Sequence, residues 1–225
     1  MFASHRPFAQ AALVFALLIA APAGAATNAT SPAPAAKGLD GVFYDDAYVM
    51  GSAKAKVTVV EYAYITCPHC ARFDAQVFQD LKTRYIDTGK VRYEFREFLT
   101  EPAEIAASGF VIARCAGKDN YFKVVEEIFR AQPEMFSGRP GTEPVVVLSR
   151  ISKANGVSDD KFRACLNDPK AIQGLNARLD KAIGQDKIDS TPTVLVNGKK
   201  IDPGVGEWSL AKISPAIDAA LAKAR

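Results

Sequence analysis

Histidine is nearly absent from this chain of 225 residues, which holds only two, His5 and His69. Neither a Ser–His triad, a His-rich zinc site nor an HExxH helix can be assembled unless His69 serves it. Cysteine is scarce too, with four residues at positions 67, 70, 115 and 165. A zinc site built from these four is disfavoured because Cys115 and Cys165 lack the close spacing of a zinc knuckle, so no metal is expected. An excess of either charge is missing as well. Lys+Arg 28 against Asp+Glu 25 gives no reason to expect nucleic acid or an anionic membrane surface as a partner.

Long apolar runs are also lacking. The stretch Ala11–Ala20 is far short of the about 20 residues that span a bilayer. It follows Arg6 and precedes the small residues Ala23-Gly24-Ala25, which reads as a secretory signal peptide over residues 1–25. No cysteine lies near that cleavage region, so a lipoprotein is not expected. His5 and Arg6 leave with the signal, and the mature chain keeps one histidine, inside the Cys-x-x-Cys motif. Residues 26–41, rich in Ala, Pro, Thr and Ser, read as a flexible lead-in. What remains fits one domain with an insertion, or two small ones.

What the chain does contain is a dense local pattern over Lys56–Tyr85, KVTVVEYAYITCPHCARFDAQVFQDLKTRY. From Val57 to Ile65, β-branched and aromatic residues run almost unbroken, as a central strand covered on both faces requires. Only Glu61 interrupts them. Pro68 follows Cys67, and proline suits the first helical position because its missing N–H has no intrahelical partner there. Phe73, Val77, Leu81 and Tyr85, with Phe78 beside them, then mark one apolar face at helical period. The pattern places Cys67 at a helix N-terminus and Cys70 in the first turn.

That placement decides the chemistry. Free backbone N–H groups and the positive end of the helix dipole favour a thiolate over a thiol. His69 is expected to add a hydrogen-bond donor or a positive charge beside the Cys67 sulfur. Each unit by which the Cys67 pKa falls is worth about 1.4 kcal/mol toward the thiolate. A stabilised reduced state makes the disulfide more oxidising, by roughly 30 mV per tenfold change in equilibrium. The inferred chemistry is disulfide donation. Glu61 shares a strand face with Val57, Val59 and Ala63, so it is expected in the core beneath the motif, where Arg92 or Arg96 on the neighbouring strand could pair with it.

Elsewhere, Phe43–Met50 is expected as a short first strand, Gly51-Ser52-Ala53-Lys54 as a turn, Gly89 as the end of the first helix and Val91–Leu99 as a strand. From Glu101 to Gln185 the pattern becomes helical, with helices over Ala103–Cys115, Tyr121–Phe129, Pro144–Asn155, Ser158–Cys165 and Pro169–Gly184. Cys115 and Cys165 suggest a structural disulfide, which would close a loop of about 50 residues and stabilise by roughly 4 kcal/mol. Two buried free thiols or a second redox pair are the alternatives. Asp189-Ser190-Thr191-Pro192 precedes a strand over Thr193–Val196, and Asn197-Gly198 signals a hairpin to Lys199–Ile201. Leu210, Ile213, Ile217 and Leu221 mark a closing helix, in which Pro215 either makes a kink or sits in the first turn with Ser214 as cap. Trp208 is expected to pack at its start.

The strand–CPHC–helix unit, with Thr191-Pro192 before a later strand, resembles the DsbA-type thiol–disulfide oxidoreductases of the thioredoxin superfamily, from roughly Tyr48 to the C-terminus. The resemblance implies an α/β thioredoxin fold, a central mixed β-sheet flanked by helices, over residues 42–100 and 186–225. An α-helical domain is inserted over residues 101–185. It further implies that Pro192 is cis and faces the Cys-x-x-Cys motif, leaving the preceding backbone free to pair with an extended substrate beside Cys67. Glu61 would accept or relay the proton of Cys70, and a quinone-linked membrane protein of the DsbB kind would restore the disulfide. Thr191 departs from the apolar β-branched residue of the best-known oxidases. Its hydroxyl can hydrogen-bond the Cys67 sulfur and shift its potential, and isomerase-type relatives carry it too.

The expected protein is a periplasmic oxidase of reduced exported substrate proteins. Its catalytic set is Cys67, Pro68, His69, Cys70, Thr191, Pro192 and Glu61, with no cofactor beyond the Cys67–Cys70 disulfide. Dimeric isomerases of this group carry an N-terminal dimerisation domain, for which the short stretch before the first strand leaves no room, so a monomer is expected. A disulfide isomerase or reductase is the nearest alternative. A redox-inert peptide-binding module is a more distant one, and an intact CPHC weighs against it.

Overall fold

The computed structural model of the protein describes residues 47–224. The expected signal peptide, the lead-in and residues 43–46 of the expected first strand lie outside them. Strand β1 is Tyr48–Gly51. The apolar run becomes β2, Val57–Ala63, every residue of it buried or nearly so, and the chain leaves the sheet at Tyr64, two residues before the expected end. Strand β3 is Val91–Glu97, β4 is Thr193–Val196 and β5 is Lys199–Lys200. Among the described residues these form one sheet in the order β1-β3-β2-β4-β5, with β2 and β3 parallel and the other pairs antiparallel. Asn197 and Gly198 make the β4–β5 turn with φ of 47° and 78°, the left-handed pair that such a turn demands.

Helix α1 begins as Pro68–Phe73 and continues through π-type turns at Asp74–Phe78 and Lys82–Ile86. Gly89 ends it as expected, its N–H on Ile86 O at 2.9 Å and that of Lys90 on Tyr85 O at 3.0 Å. Between β3 and β4 come α2 (Ala103–Cys115), α3 (Tyr121–Met135), α4 (Pro144–Ala154), α5 (Asp159–Leu166) and α6 (Pro169–Gly184). Helix α4 forms despite its three valines because Pro144 starts it and Val147, Leu148 and Ile151 bury one face. Helix α7 is Leu210–Lys223 and follows Ser209. Ser214 is therefore not its cap, and Pro215 lies inside it. Trp208 packs edge-on against Phe73 of α1, with centroids 5.9 Å apart.

The alternation of β2 sorts the two faces of the sheet. Val57, Val59 and Ala63 join Leu81, Ile213 and Ile217 in one contiguous core that runs on into the insertion through Phe110, Ile128 and Ile151. Val60 and Tyr62 face the other way, against Ala182, Ile188 and Leu195. Two further ties fix the insertion. The Glu97 carboxylate at the end of β3 is fully buried, and it accepts from Arg114 Nε at 2.7 Å, Tyr121 OH at 2.9 Å and Arg178 Nη2 at 2.6 Å. Cys115 and Cys165 are joined as a disulfide linking α2 to α5.

That crosslink closes 50 residues of chain. Replacing both cysteines by alanine is expected to lower the unfolding free energy by about 4 kcal/mol on the chain-entropy argument. Denaturant unfolding of the protein with Cys67 and Cys70 oxidised measures it, and a loss near zero would show that the bond constrains nothing.

Candidate active site

Tyr64, Ile65 and Thr66 carry the chain from β2 to α1, and the Cys67 N–H closes this turn on Tyr64 O at 3.0 Å. Cys67 is the N-cap of α1, extended at φ −78° and ψ 118°, with Pro68 as the first helical residue. Its Sγ accepts the backbone N–H of Cys70 at 3.1 Å, the place an N-cap oxygen takes in most helices. Both cysteines are free thiols here, and Cys70 is wholly enclosed at 0 % exposure.

These contacts split the two thiols. The Cys67 pKa falls from an ordinary 9.0 to about 6, chiefly because the Cys70 thiol hydrogen-bonds to its sulfur. Burial opposes the fall, and the N–H of Cys70, the Thr191 hydroxyl and the N–H of His69 add to it. Cys70 moves the other way, well above its usual value, through burial and then through its neighbour Cys67. One sulfur is thus prepared as an anion and the other as a thiol.

Thr191-Pro192 is cis, and it brings the strand β4 end of the sheet to Cys67. The Thr191 hydroxyl lies 3.8 Å from the Cys67 sulfur, and its carbonyl oxygen lies 3.9 Å away. Beside it a cleft of about 270 Å³ is lined by Pro192, Thr193, Ile201, Pro203 and Trp208, among others. A larger cleft of about 650 Å³, at β1, β3 and α6, contains neither Cys67 nor Cys70.

Glu61 points into the core beneath the motif and is 2 % exposed. The Tyr93 hydroxyl donates to it at 2.5 Å. Arg92 and Arg96, the alternative ion-pair partners offered by the sequence, bond to Glu94 on the opposite face. The reason is alternation: Glu61 is in register with Phe95, so Tyr93 and Phe95 share its face while positions 92, 94 and 96 do not. Burial without a cation pushes the Glu61 pKa from 4.5 up to about 8, although the Tyr93 hydroxyl pulls it down. Asp74, one turn beyond Cys70, is raised to about 7 by burial and then by Glu126.

The His69 side chain departs from the expectation. It is 61 % exposed and turned toward Glu207, whose carboxylate is 3.6 Å from Nδ1. Arg72 Nη2 donates both to His69 Nδ1 at 2.7 Å and to Glu207 Oε1 at 3.0 Å. The expected imidazole contact with the sulfur is therefore replaced by one from the backbone N–H of His69. Arg72 and Glu207 escaped the sequence reading. Arg72 was detectable, since three residues separate it from His69 on one helix face; Glu207 was not, because only folding brings its loop there. Among the described residues, no group of three or more His, Cys, Asp or Glu side chains is gathered closely enough to hold a metal ion.

Comparison with known proteins agrees with this geometry. The thioredoxin family model matches residues 45–219, and the chain belongs to that family, with DsbA-like proteins as its structural neighbours. The crystal structure of Wolbachia pipientis alpha-DsbA1 superposes with a TM-score of 0.69 at 26 % identity, covering 80 % of this chain and 92 % of that one. A structure named as a protein-disulfide isomerase from Novosphingobium aromaticivorans gives 0.66 at 25 % identity, covering 80 % and 99 %. A Rickettsia bellii protein named as a protein-disulfide oxidoreductase is 33 % identical over 177 residues, or 79 % of this chain. The chain spans 65 % of the length of that relative.

The unpaired burial of Glu61 has a measurable consequence. A carboxyl whose folded pKa is raised loses stability for the fold as pH climbs from its unfolded value near 4.5 to about 8. Glu61→Gln removes that loss. The variant is expected to be more stable than the parent at pH 7.5, by on the order of 4 kcal/mol, and no more stable at pH 4. Denaturant unfolding at the two pH values measures this, and a pH-independent difference would mean that the carboxyl is ionised in the fold.

Proposed function

We propose that the protein is an exported thiol:disulfide oxidoreductase that donates its Cys67–Cys70 disulfide to reduced substrate proteins in the periplasm. The observation that carries this reading is the asymmetric placement of the two sulfurs: Cys67 caps α1 and accepts the Cys70 N–H at 3.1 Å, which favours its thiolate, while Cys70 is wholly enclosed and held as a thiol. A substrate thiolate attacks Cys67 Sγ, the intramolecular S–S bond breaks, and Cys70 leaves with the electron pair. With its high pKa Cys70 takes a proton, and Glu61 beneath it, near pKa 8, is the buried group able to supply it. The second substrate thiolate then attacks the substrate sulfur of the mixed disulfide and expels Cys67 as a stabilised thiolate. Two electrons pass from substrate to protein.

Supporting contacts surround this path. The Thr191 hydroxyl reaches the Cys67 sulfur, and the cleft beside Pro192, with Ile201, Pro203 and Trp208 in its lining, is open to an extended chain. The chemistry asks for no cofactor other than the disulfide. Reoxidation falls to a membrane partner of the DsbB kind, and the protein works as a monomer. An isomerase or reductase role is the second reading. The isomerase name of the Novosphingobium neighbour favours it.

The order of melting separates these readings, and a Glu61 variant tests the proton relay. A thiol whose folded pKa is lowered stabilises the reduced protein above its unfolded pKa near 9, and that contribution is lost as pH falls through about 6. For an oxidase, the reduced form is expected to melt above the oxidised form at pH 8, with the gap shrinking toward pH 5. A reduced form that melts lower throughout would favour the reductase reading. Glu61→Gln is expected to slow thiol exchange at the active site most near pH 8, as stopped-flow fluorescence with a reduced peptide would record, and rates equal to those of the parent across pH rule out the relay.

A further inference from the structure

The inserted helices reach the reactive loop through one side chain. Gln132 on α3 is buried, and its Nε2 donates to the carbonyl oxygen of Ile65 at 2.6 Å and to that of Cys67 at 3.1 Å. These two carbonyls bracket the turn that delivers Cys67 to the start of α1. The Cys67 carbonyl also accepts the first helical bond, from the Ala71 N–H at 3.0 Å. A primary amide carries two hydrogens on one nitrogen, so it can hold both oxygens at once. Gly109 of α2 closes on the same loop, for a methyl group there would meet the Ile65 side chain at 3.1 Å.

We propose that Gln132 is a positioning residue for disulfide exchange: it holds the Ile65–Cys67 loop of the reduced protein so that the Cys67 sulfur stays on the Cys70 N–H. The proposal rests on the oxidoreductase reading above and deepens it, since it places control of the reactive sulfur in the insertion. Its effect differs between redox states. In the disulfide form the Cys67–Cys70 bond itself ties the loop to α1. In the dithiol form that covalent tie is gone, and the 3.1 Å contact to Cys70 N and the two Gln132 bonds do the holding. Loss of Gln132 takes the side-chain donor from the buried Ile65 carbonyl and leaves the Cys67 carbonyl with the Ala71 N–H alone, in both forms, but it releases the sulfur only in the reduced one. A thiolate less well held makes the disulfide a weaker oxidant.

The test is the equilibrium of Cys67–Cys70 with glutathione in the parent protein, in Gln132→Met and in Gln132→Glu. Methionine fills the space without a donor, whereas glutamic acid keeps the shape and, when protonated, offers one hydrogen in place of two. The expected result is a shift of about tenfold or more toward the protein disulfide in Gln132→Met, equivalent to roughly 30 mV, and a smaller shift in Gln132→Glu. Equilibria within twofold of the parent in both variants overturn the proposal. Should the variants fail to fold, the parent decides the matter by NMR. Both Nε2 hydrogens of Gln132 are expected to resist solvent exchange in the reduced protein and to shift on oxidation, and exchange at the rate of a free amide overturns the proposal. A parent equilibrium typical of a reducing dithiol contradicts the oxidase reading alone, since the differences between variants stand apart from it.

Discussion

The double donation of Cys70 to the Cys67 sulfur, by its thiol first and by its backbone N–H from 3.1 Å, is the contact on which the rest of the structure depends. It exists because Pro68 starts the helix without an N–H of its own and Cys67 stays extended before it, which turns the free donors of the first turn toward the sulfur. The same burial that shields these donors from water also penalises the anion. The contact wins because several donors converge on one sulfur, from Cys70, Thr191 and His69. For Cys70 and Glu61, each short of donors or cations, burial wins instead.

The scaffold is arranged around that competition. Strand β2 runs between β3 and β4, so its end delivers Cys67 beside the Thr191-Pro192 segment that leads into β4, while Glu61 is held below by Tyr93 of β3. The insertion is anchored by the fully buried Glu97 with its two guanidinium partners and by the Cys115–Cys165 bond. Removing one partner of such a buried pair costs on the order of 3–5 kcal/mol, so the insertion cannot drift from the sheet cheaply. Through Gln132 that rigidity reaches the loop carrying the nucleophile.

Much of this was legible in the sequence, for identifiable reasons. The strand, the cysteine pair, the helix start and the Asn197-Gly198 turn are written in residues a few positions apart, where local sterics decide. The helices of the insertion followed from periodicity and caps, and Ser158 does accept the Lys161 N–H at 3.3 Å. Contacts set by tertiary approach were less accessible. The direction of the His69 ring depends on Glu207, from a distant loop. The partner of Glu61 was open to inference, because alternation along β3 puts Tyr93 on its face and the arginines on the other. Gln132 gave no signal, since the expected helix stopped at Phe129, whereas it runs on to Met135 and carries Gln132 into the interior.

The most direct measurement is the ultraviolet absorbance of the Cys67 thiolate against pH in the reduced protein, with Cys115–Cys165 intact and Cys67→Ser as the blank. A single transition near pH 6 that the blank lacks is the expected result. A transition at 8.5 or above, the range of an unperturbed thiol, would contradict it, because the helix start would then do nothing for the sulfur it caps.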